Sequence, residues 1–181
     1  MSILSRGFVA VCASAVAFSP AAAQFGSLDL RGVTVGVSVN SPMGEFDRVA
    51  KTGFGVSMRS GLASNAEVWS GRSSFSFDRF EGVTSYANIQ FVTLGFDIIH
   101  RTRESFYQFG GIGLYNSRYT AASGVTAVHS RSDQDFGFTG GVGVNWGQGA
   151  GLKGFAEFAA TTVFTAGARS SWFPVRLGIR F

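Results

Sequence analysis

Apolar and small polar side chains alternate with a period of two along most of the chain. In GVTVGVSVN the odd positions from Val33 to Val39 are valine, and the even positions are threonine, glycine, serine and asparagine. DFGFTGGVGVNW, residues 135–146, likewise alternates large apolar residues with small or polar ones. Successive side chains of a β-strand point to opposite faces, whereas helical patterns repeat every three to four residues. The pattern predicts strands with one large apolar face and one small polar face.

Eight such segments follow one another, and they predict a single all-β, up-and-down antiparallel sheet. They are GVTVGVSVN, TGFGVSMRSGL, EVWSGRSSFSFDR, VTLGFDII, FYQFGGIGLYNSRY, DFGFTGGVGVNW, GFAEFAATTVF and WFPVRLGIRF. The phase of the fifth segment changes at Gly110-Gly111, which predicts a β-bulge. The first, third, fifth and seventh links between segments would share one end of the sheet, and we expect them to be the longer set.

The small face decides between two kinds of closed barrel. A soluble barrel such as a lipocalin turns its apolar face inward, whereas an outer-membrane barrel turns it outward to lipid. Only 14% of the residues are charged, and a face of glycine, serine and threonine is a poor surface toward water. It fits the interior of an eight-stranded barrel, which has room only for side chains. We therefore predict an eight-stranded antiparallel transmembrane β-barrel.

Tryptophan and tyrosine side chains near strand ends are expected to form belts at the membrane interfaces. They are Trp69, Tyr86, Tyr107, Tyr115, Tyr119, Trp146 and Trp172. The formal charge is +4, and 13 of the 15 cationic residues are arginines scattered along the chain. A nucleic-acid-binding protein gathers its cations on one face or helix, so nucleic acid is not predicted as a partner.

The first 23 residues differ from the rest of the chain. Arg6 precedes the apolar run GFVAVCASAVAF, and SPAAA follows it. A basic start, a short apolar core and an A-x-A ending are typical of a secretory signal peptide. We expect cleavage between Ala23 and Gln24, which makes residues 1–23 the signal peptide and residues 24–181 the barrel domain. The only cysteine, Cys12, lies in the first part, so no disulfide or cysteine metal site is expected in the second.

The C-terminal segment PVRLGIRF alternates up to its last residue. A sheet in lipid leaves no free edge, because unpaired backbone groups find no water there, so we expect the last strand to pair with the first. Phe181, preceded by Ile179 and Leu177, resembles the terminal signal of bacterial outer-membrane proteins. This resemblance implies that the barrel-assembly machinery reads these three residues.

The segments YQFGGIGLYNSRY, DFGFTGGVGVNW, FAEF and PVRLGIRF, together with the signal segment, resemble the small outer-membrane barrels typified by the OmpA transmembrane domain and OmpX. The resemblance implies a monomeric barrel in the outer membrane of a Gram-negative bacterium, surrounded by outer-membrane lipid. It implies no single function, because members are structural, adhesive or enzymatic.

Residues with catalytic chemistry are few. The two histidines are His100 and His129, and VHSRSD brings His129 near Ser130 and Asp133 in sequence. One type of lipid A-modifying enzyme in the resembling family uses a histidine, a serine and an acid. Adjacent strand residues face opposite ways, and we interpret both histidines as solvated residues of links. The glycine-rich segments lie in strands with no following helix, so a nucleotide site is not predicted, and neither is a catalytic residue, metal or cofactor.

Seven charged residues on the small face are predicted to form a charge network in the lumen. They are Arg59, Arg72, Asp78, Asp97, Glu157, Arg176 and Arg180. Counting along the hairpins places Arg59 near Arg72, Arg72 near Asp97, and Glu157 near Arg180. The set fits an ion-selective pore or a plug of ion pairs, and we favour the plug because eight strands leave no aqueous channel.

We therefore predict a structural or surface-interaction role through the links, with an unidentified extracellular ligand as a possible partner. The alternatives are a lipid A-modifying enzyme and a narrow pore or small-molecule transporter.

Overall fold

The computed structural model describes residues 32–61, 68–83, 85–103, 105–123, 130–147, 153–165 and 168–181. Its strands are β1 (Val33–Met43), β2 (Ala50–Gly61), β3 (Trp69–Gly82), β4 (Tyr86–Arg101), β5 (Phe106–Ala121), β6 (Arg131–Trp146), β7 (Lys153–Thr165) and β8 (Ala168–Arg180). A short 3₁₀ helix (Phe46–Arg48) lies in the first link. Ala23 and Gln24 lie outside the described residues, so the cleavage site stays a prediction.

The eight strands form one closed antiparallel barrel in chain order. β8 pairs with β1 to close it, with Leu177 opposite Val37 and Ile179 opposite Val35. The predicted up-and-down barrel and the pairing of the last strand with the first are confirmed. Among the described residues, no helix is long and apolar enough to cross a membrane.

The outer wall of the barrel is apolar through its middle. Leu94 and Leu114 are cross-strand partners, and they are 63% and 67% exposed. The same wall includes Val35, Val37, Val39, Phe54, Val56, Met58, Phe75, Val92, Phe96, Ile98, Ile112, Phe136, Phe138, Val142, Val144, Phe158, Val175 and Leu177. Water-soluble monomers rarely expose a contiguous apolar area beyond a few hundred Å². The predicted orientation of the two faces is confirmed.

The barrel has two ends, which we call the terminal end and the distal end. The terminal end carries Val33, Phe181 and the links 62–68, 102–105 and 147–152, and the distal end carries the links 44–49, 83–85, 122–130 and 166–167. The expectation that the distal links form the longer set is wrong. β4, β5 and β6 each extend over 16 residues. They include polar residues that the sequence pattern assigned to links, because backbone pairing does not require apolar side chains.

The fifth strand contains no bulge at Gly110-Gly111, contrary to prediction. Its pairing with β4 continues without a break across both glycines. The hydrophobic phase changes because Tyr107 and Phe109 are buried in the lumen, whereas Ile112 is exposed on the outer wall. The backbone alternation is regular, and only the chemistry of the inward positions changes.

The prediction of aromatic belts is wrong for most of its residues. Trp69 and Trp146 are exposed at the terminal end of their strands. Those buried inside the barrel are Tyr107, Tyr115, Tyr119 and Trp172. Glycines on the neighbouring strand make room for two of them, since a Cβ at Gly143 would collide with the ring of Tyr107 and one at Gly137 would meet Tyr115 at 2.8 Å.

Candidate functional site

Six side chains meet inside the barrel, and we call them the ionic cluster. They are Arg59, Arg72, Asp97, Tyr107, Glu157 and Arg176, contributed by β2, β3, β4, β5, β7 and β8. Each lies at an inward position of a strand whose neighbouring side chains face outward, as a period of two requires. All six are buried. The structure thus brings together five of the seven charged residues predicted for the lumen, and adds a tyrosine.

Glu157 is the centre of the ionic cluster. Its Oε2 lies 2.6 Å from Nη1 of Arg59 and 3.7 Å from Nη1 of Arg176, and its Oε1 lies 2.6 Å from Nη1 of Arg72. The hydroxyl of Tyr107 donates to the same Oε1 at 2.8 Å. The carboxylate has no exposure to water. A buried carboxylate is costly unless it is paired and hydrogen-bonded, and these donors meet that need.

Arg72 joins the two carboxylates of the ionic cluster. Its Nε and Nη2 donate to Oδ2 of Asp97 at 3.0 and 2.8 Å, while its Nη1 donates to Glu157. Its guanidinium also lies over the ring of Phe109, 4.9 Å from the centroid. The planar fork of five N–H donors suits this arrangement, whereas a lysine ammonium would act as a single point charge.

The ionic cluster crosses the lumen. Around the closed barrel β7 is separated from β2 and β3 by intervening strands on either side. Glu157 therefore binds Arg59 and Arg72 across the interior and not along a hairpin. The three arginines of the cluster face two carboxylates, and each arginine forms an ion pair with at least one of them. Such an arrangement fills this half of the lumen with paired charges.

Asp78 belongs to a separate set of hydrogen bonds. Its Oδ1 accepts from Nδ2 of Asn40 at 2.7 Å, and its Oδ2 accepts from Oγ of Ser76 at 3.0 Å. Within the described residues it forms no ion pair closer than 4.0 Å. Between Asp78 and Asp97 lies a cavity of about 30 Å³ with both polar and aromatic walls, which is space for about one water molecule.

Arg180 does not join the ionic cluster. Its side chain is exposed at the terminal end, and its partners in register are Lys153 and Thr34. Glu157 lies opposite Arg176, so the prediction that pairs Glu157 with Arg180 is wrong. β7 and β8 extend toward each other until only residues 166–167 remain between them, which shifts the register from the one counted on a longer link.

An aromatic cluster fills the distal half of the lumen, and we call it the distal plug. Its buried members are Phe46, Ala50, Phe80, Ile89, Phe91, Tyr115, Tyr119, Val163 and Trp172. Phe46 enters from the 3₁₀ helix and packs edge-on against Phe80, with centroids 5.0 Å apart, while Phe91 stacks on Trp172 at 4.9 Å.

Sequence reasoning missed the distal plug, although a signal for part of it exists. On β4 the inward phase set by Thr93 and Asp97 continues back to Ile89 and Phe91. The alternation of inward and outward positions along β4 is therefore enough to predict that these two apolar residues face inward. No such rule applies to Phe46, which lies in a link.

The serine and acid of VHSRSD are engaged separately. Oγ of Ser130 accepts from the backbone N–H of Ala121 at 3.1 Å. Asp133 lies on β6 and not in a link, and its Oδ2 is 3.3 Å from Nε of Arg131. His129 lies outside the described residues.

His100 differs from its prediction as a solvated link residue. It belongs to β4, and its ring lies 4.4 Å from that of Trp69, centroid to centroid. The strand continues past the apolar segment, because β3 supplies pairing partners up to Trp69. In the described part of the chain, no group of histidine, cysteine and acidic residues is arranged to hold a metal ion.

Comparison with known proteins identifies the fold. No protein-family model matches the chain, and no curated protein matches it significantly. Neisserial surface protein A is 15% identical over 83% of this chain and 97% of that one, with a TM-score of 0.53. The N-terminal β-barrel domain of Pseudomonas aeruginosa OprF is 11% identical over 83% and 98%, also at 0.53.

A third structure of the same kind is Ail, the attachment invasion locus protein of Yersinia pestis, solved with the heparin analogue sucrose octasulfate. It is 14% identical over 82% of this chain and 96% of that one, with a TM-score of 0.53. Identities this low establish likeness of fold alone. The chain therefore has the fold of the small outer-membrane barrels, as its sequence segments predicted.

Proposed function

We propose that this chain is an integral protein of the bacterial outer membrane, with an occluded barrel and a structural or surface-interaction role. The observation that supports this most is the contrast between its two faces. Leu94 and Leu114 are more than 60% exposed, whereas Glu157 and Trp172 are 2% and 1% exposed inside. Water is a poor solvent for that outer wall, and hydrocarbon is a good one.

The filled interior argues against the narrow-pore alternative. A conducting path would have to pass both the ionic cluster and the distal plug. Breaking a buried ion pair costs about 3–5 kcal/mol, and the aromatic rings of the plug, such as Phe80 and Trp172, are packed against one another at 5.5 Å. An interior cavity of about 30 Å³ holds about one water molecule.

Export and assembly complete the proposal. Residues 1–23 would direct the chain out of the cytoplasm, and Leu177, Ile179 and Phe181 would be read by the barrel-assembly machinery. All three are exposed on the outer wall or at the end of β8, where another protein could reach them. We propose that the terminal end faces the periplasm, because both chain ends of the barrel lie there and export delivers the chain from that side. The barrel closes on itself, so a monomer suffices.

The distal end would then face the outside and provide the interaction surface. Ail, which shares the fold, was solved with a sulfated saccharide analogue. For the present chain we propose an extracellular partner without specifying its chemical class. Around the buried Phe46, the link residues Glu45, Asp47 and Arg48 are exposed. No catalytic role is proposed for this end.

Two measurements test the proposal. Fractionation of cells should recover the protein with the outer membrane, and planar bilayers containing purified protein should show no unitary conductance steps while a large porin does. Recovery in the soluble fraction would contradict the membrane location, and regular steps would favour the pore. Mass spectrometry of lipid A from cells with and without the gene should give identical spectra, whereas a changed mass would favour an enzyme.

A further inference from the structure

The outer wall is polar on one side near the distal end. Six outward-facing residues of β3, β4, β5 and β6 form what we call the polar patch: Arg79, Gln90, Asn116, Arg118, Ser132 and Gln134. Pairing in the sheet sets them side by side. Gln90 lies between Arg79 and Arg118, each directly opposite it on a neighbouring strand, and Arg118 is opposite Ser132.

The polar patch begins where the apolar wall stops. On β5 the outward side chains change from Leu114 to Asn116 and Arg118 within four residues, and Val92 of β4 lies opposite Asn116. A tilted strand crosses the hydrocarbon with about 9–11 residues, and β4, β5 and β6 have 16 each. The excess residues at the distal end therefore lie at the level of the lipid headgroups.

The two arginines of the polar patch have no side-chain partner in the part of the chain that the structure describes. Within the described residues, neither Arg79 nor Arg118 forms an ion pair or a side-chain hydrogen bond, whereas Arg131 nearby is held by Asp133 and lies over the ring of Tyr119. The two arginines are two strands apart, so their Cα atoms are about 10 Å apart. Both flexible side chains can reach a single phosphate group from that distance.

We propose that the polar patch binds the phosphorylated headgroup of lipid A in the outer leaflet, which rests on the membrane location proposed above. Arg79 and Arg118 bind phosphate, because guanidinium–phosphate hydrogen bonds are charge-assisted and often bidentate. The amides of Gln90 and Asn116 bind hydroxyl groups of the adjoining sugar. Acyl chains extend from there along Val92 and the apolar wall below. The polar patch extends over four adjacent strands, a width of about 14 Å, which suits the phosphorylated disaccharide of lipid A better than the smaller headgroup of a phospholipid.

The test uses the full mature protein, folded in detergent micelles and shown to be folded by its heat-dependent electrophoretic mobility. Affinity is measured for lipid A with both phosphates, for lipid A with the phosphates removed, and for phosphatidylglycerol. The variant is Arg79→Gln/Arg118→Gln. The matched control is Arg101→Gln/Arg103→Gln, which removes two exposed arginines at the terminal end.

The wild type should bind phosphorylated lipid A at least about tenfold more tightly than either other lipid, since hydrogen bonds to charged groups are among the stronger ones. The patch variant should lose that difference, and the control should keep it. A wild type that binds all three lipids equally, or two variants that behave alike, would overturn the proposal. A separate reconstitution of the wild type into lipid vesicles distinguishes this inference from the proposed function. If the wild type inserts into the vesicles but shows no preference among the three lipids, only this inference fails. If it does not insert, the proposed function fails with it.

Discussion

Arg59 of β2 and Glu157 of β7 form an ion pair across the lumen, with Nη1 and Oε2 2.6 Å apart, although the two residues are 98 positions apart in sequence. Both side chains are shielded from water, with exposures of 4% and 0%. The pair connects two strands that share no hairpin. Because each charge is stabilised by the other charges of the ionic cluster, the stability of the barrel depends on these groups more than on exposed charges.

Replacing the central acid should destabilise the barrel. Glu157→Gln keeps the size of the side chain but removes the charge that faces three arginines. We expect the free energy of unfolding to fall by about 3–5 kcal/mol, because buried charges are left uncompensated. Glu45→Gln, in an exposed link, should stay within about 0.5 kcal/mol of the wild type. Urea unfolding in lipid vesicles measures both, and equal unfolding midpoints would contradict the role of the ionic cluster.

The second carboxylate of the ionic cluster allows a parallel comparison. Asp97 is 3% exposed and is bound by Arg72, whereas Asp47 is exposed in the 3₁₀ helix. Asp97→Ala should lower the free energy of unfolding by about 3–5 kcal/mol, and Asp47→Ala should change it by no more than about 0.5 kcal/mol. The same urea titration decides the matter. A small effect at Asp97 would mean that its pairing with Arg72 adds little to stability.

Phe46 should hold the first distal link against the barrel. Phe46→Ala removes its contacts with Phe80 and Trp172, so the 3₁₀ helix loses its anchor in the distal plug. We expect trypsin to cut after Arg48 faster than in the wild type, while the rest of the barrel stays folded. Asp47→Ala is the matched control on the same helix. Unchanged cleavage at Arg48 in the Phe46 variant would show that the link is held by something else.

Two glycines on adjacent strands should respond differently to alanine. A Cβ at Gly143 would collide with the ring of Tyr107, whereas one at Gly110 would meet no atom within 4 Å. Gly143→Ala should cost about 1–3 kcal/mol through overpacking, and Gly110→Ala should be neutral or slightly stabilising. Unfolding midpoints of both variants in vesicles provide the check. A tolerated Gly143→Ala would indicate that Tyr107 moves easily out of the lumen.

The sequence predicts the strands and their faces because alternation is a local property. The alternation and the apolar character of the side chains are enough to assign four residues to the outer wall: Val37, Leu94, Leu114 and Leu177. The same alternation assigns Arg72 and Asp97 to the interior. The alternation does not show whether a large inward side chain fits inside the barrel. The sequence therefore predicts Tyr107 and Trp172 as interfacial residues, although both are buried in the lumen.

The register between hairpins and the origin of the plug require three-dimensional information. Glu157 meets Arg176 instead of Arg180 because strand length, not composition, sets where β7 turns into β8. The contacts of Glu157 with Arg59 and Arg72 depend on closure of the barrel, which brings distant strands face to face. Phe46 occupies the lumen only because its link folds inward, and a link has no periodicity from which this could be predicted.

The central claim is that the apolar wall faces lipid, and a charge placed at its middle tests this most directly. Ile112 is an exposed residue of β5 whose cross-strand partners are the outward-facing Phe96 and Phe138, and the polar patch begins four residues beyond it. Ile112→Arg should cost roughly 2–4 kcal/mol in vesicles, and Asn116→Arg, in the polar patch, should cost about 0–1 kcal/mol. The measurement is the free energy of unfolding of both variants after refolding into lipid vesicles. A large penalty at position 112 alone is the predicted result. If Ile112→Arg inserts and unfolds like the wild type, the outer wall does not face hydrocarbon and the account is contradicted.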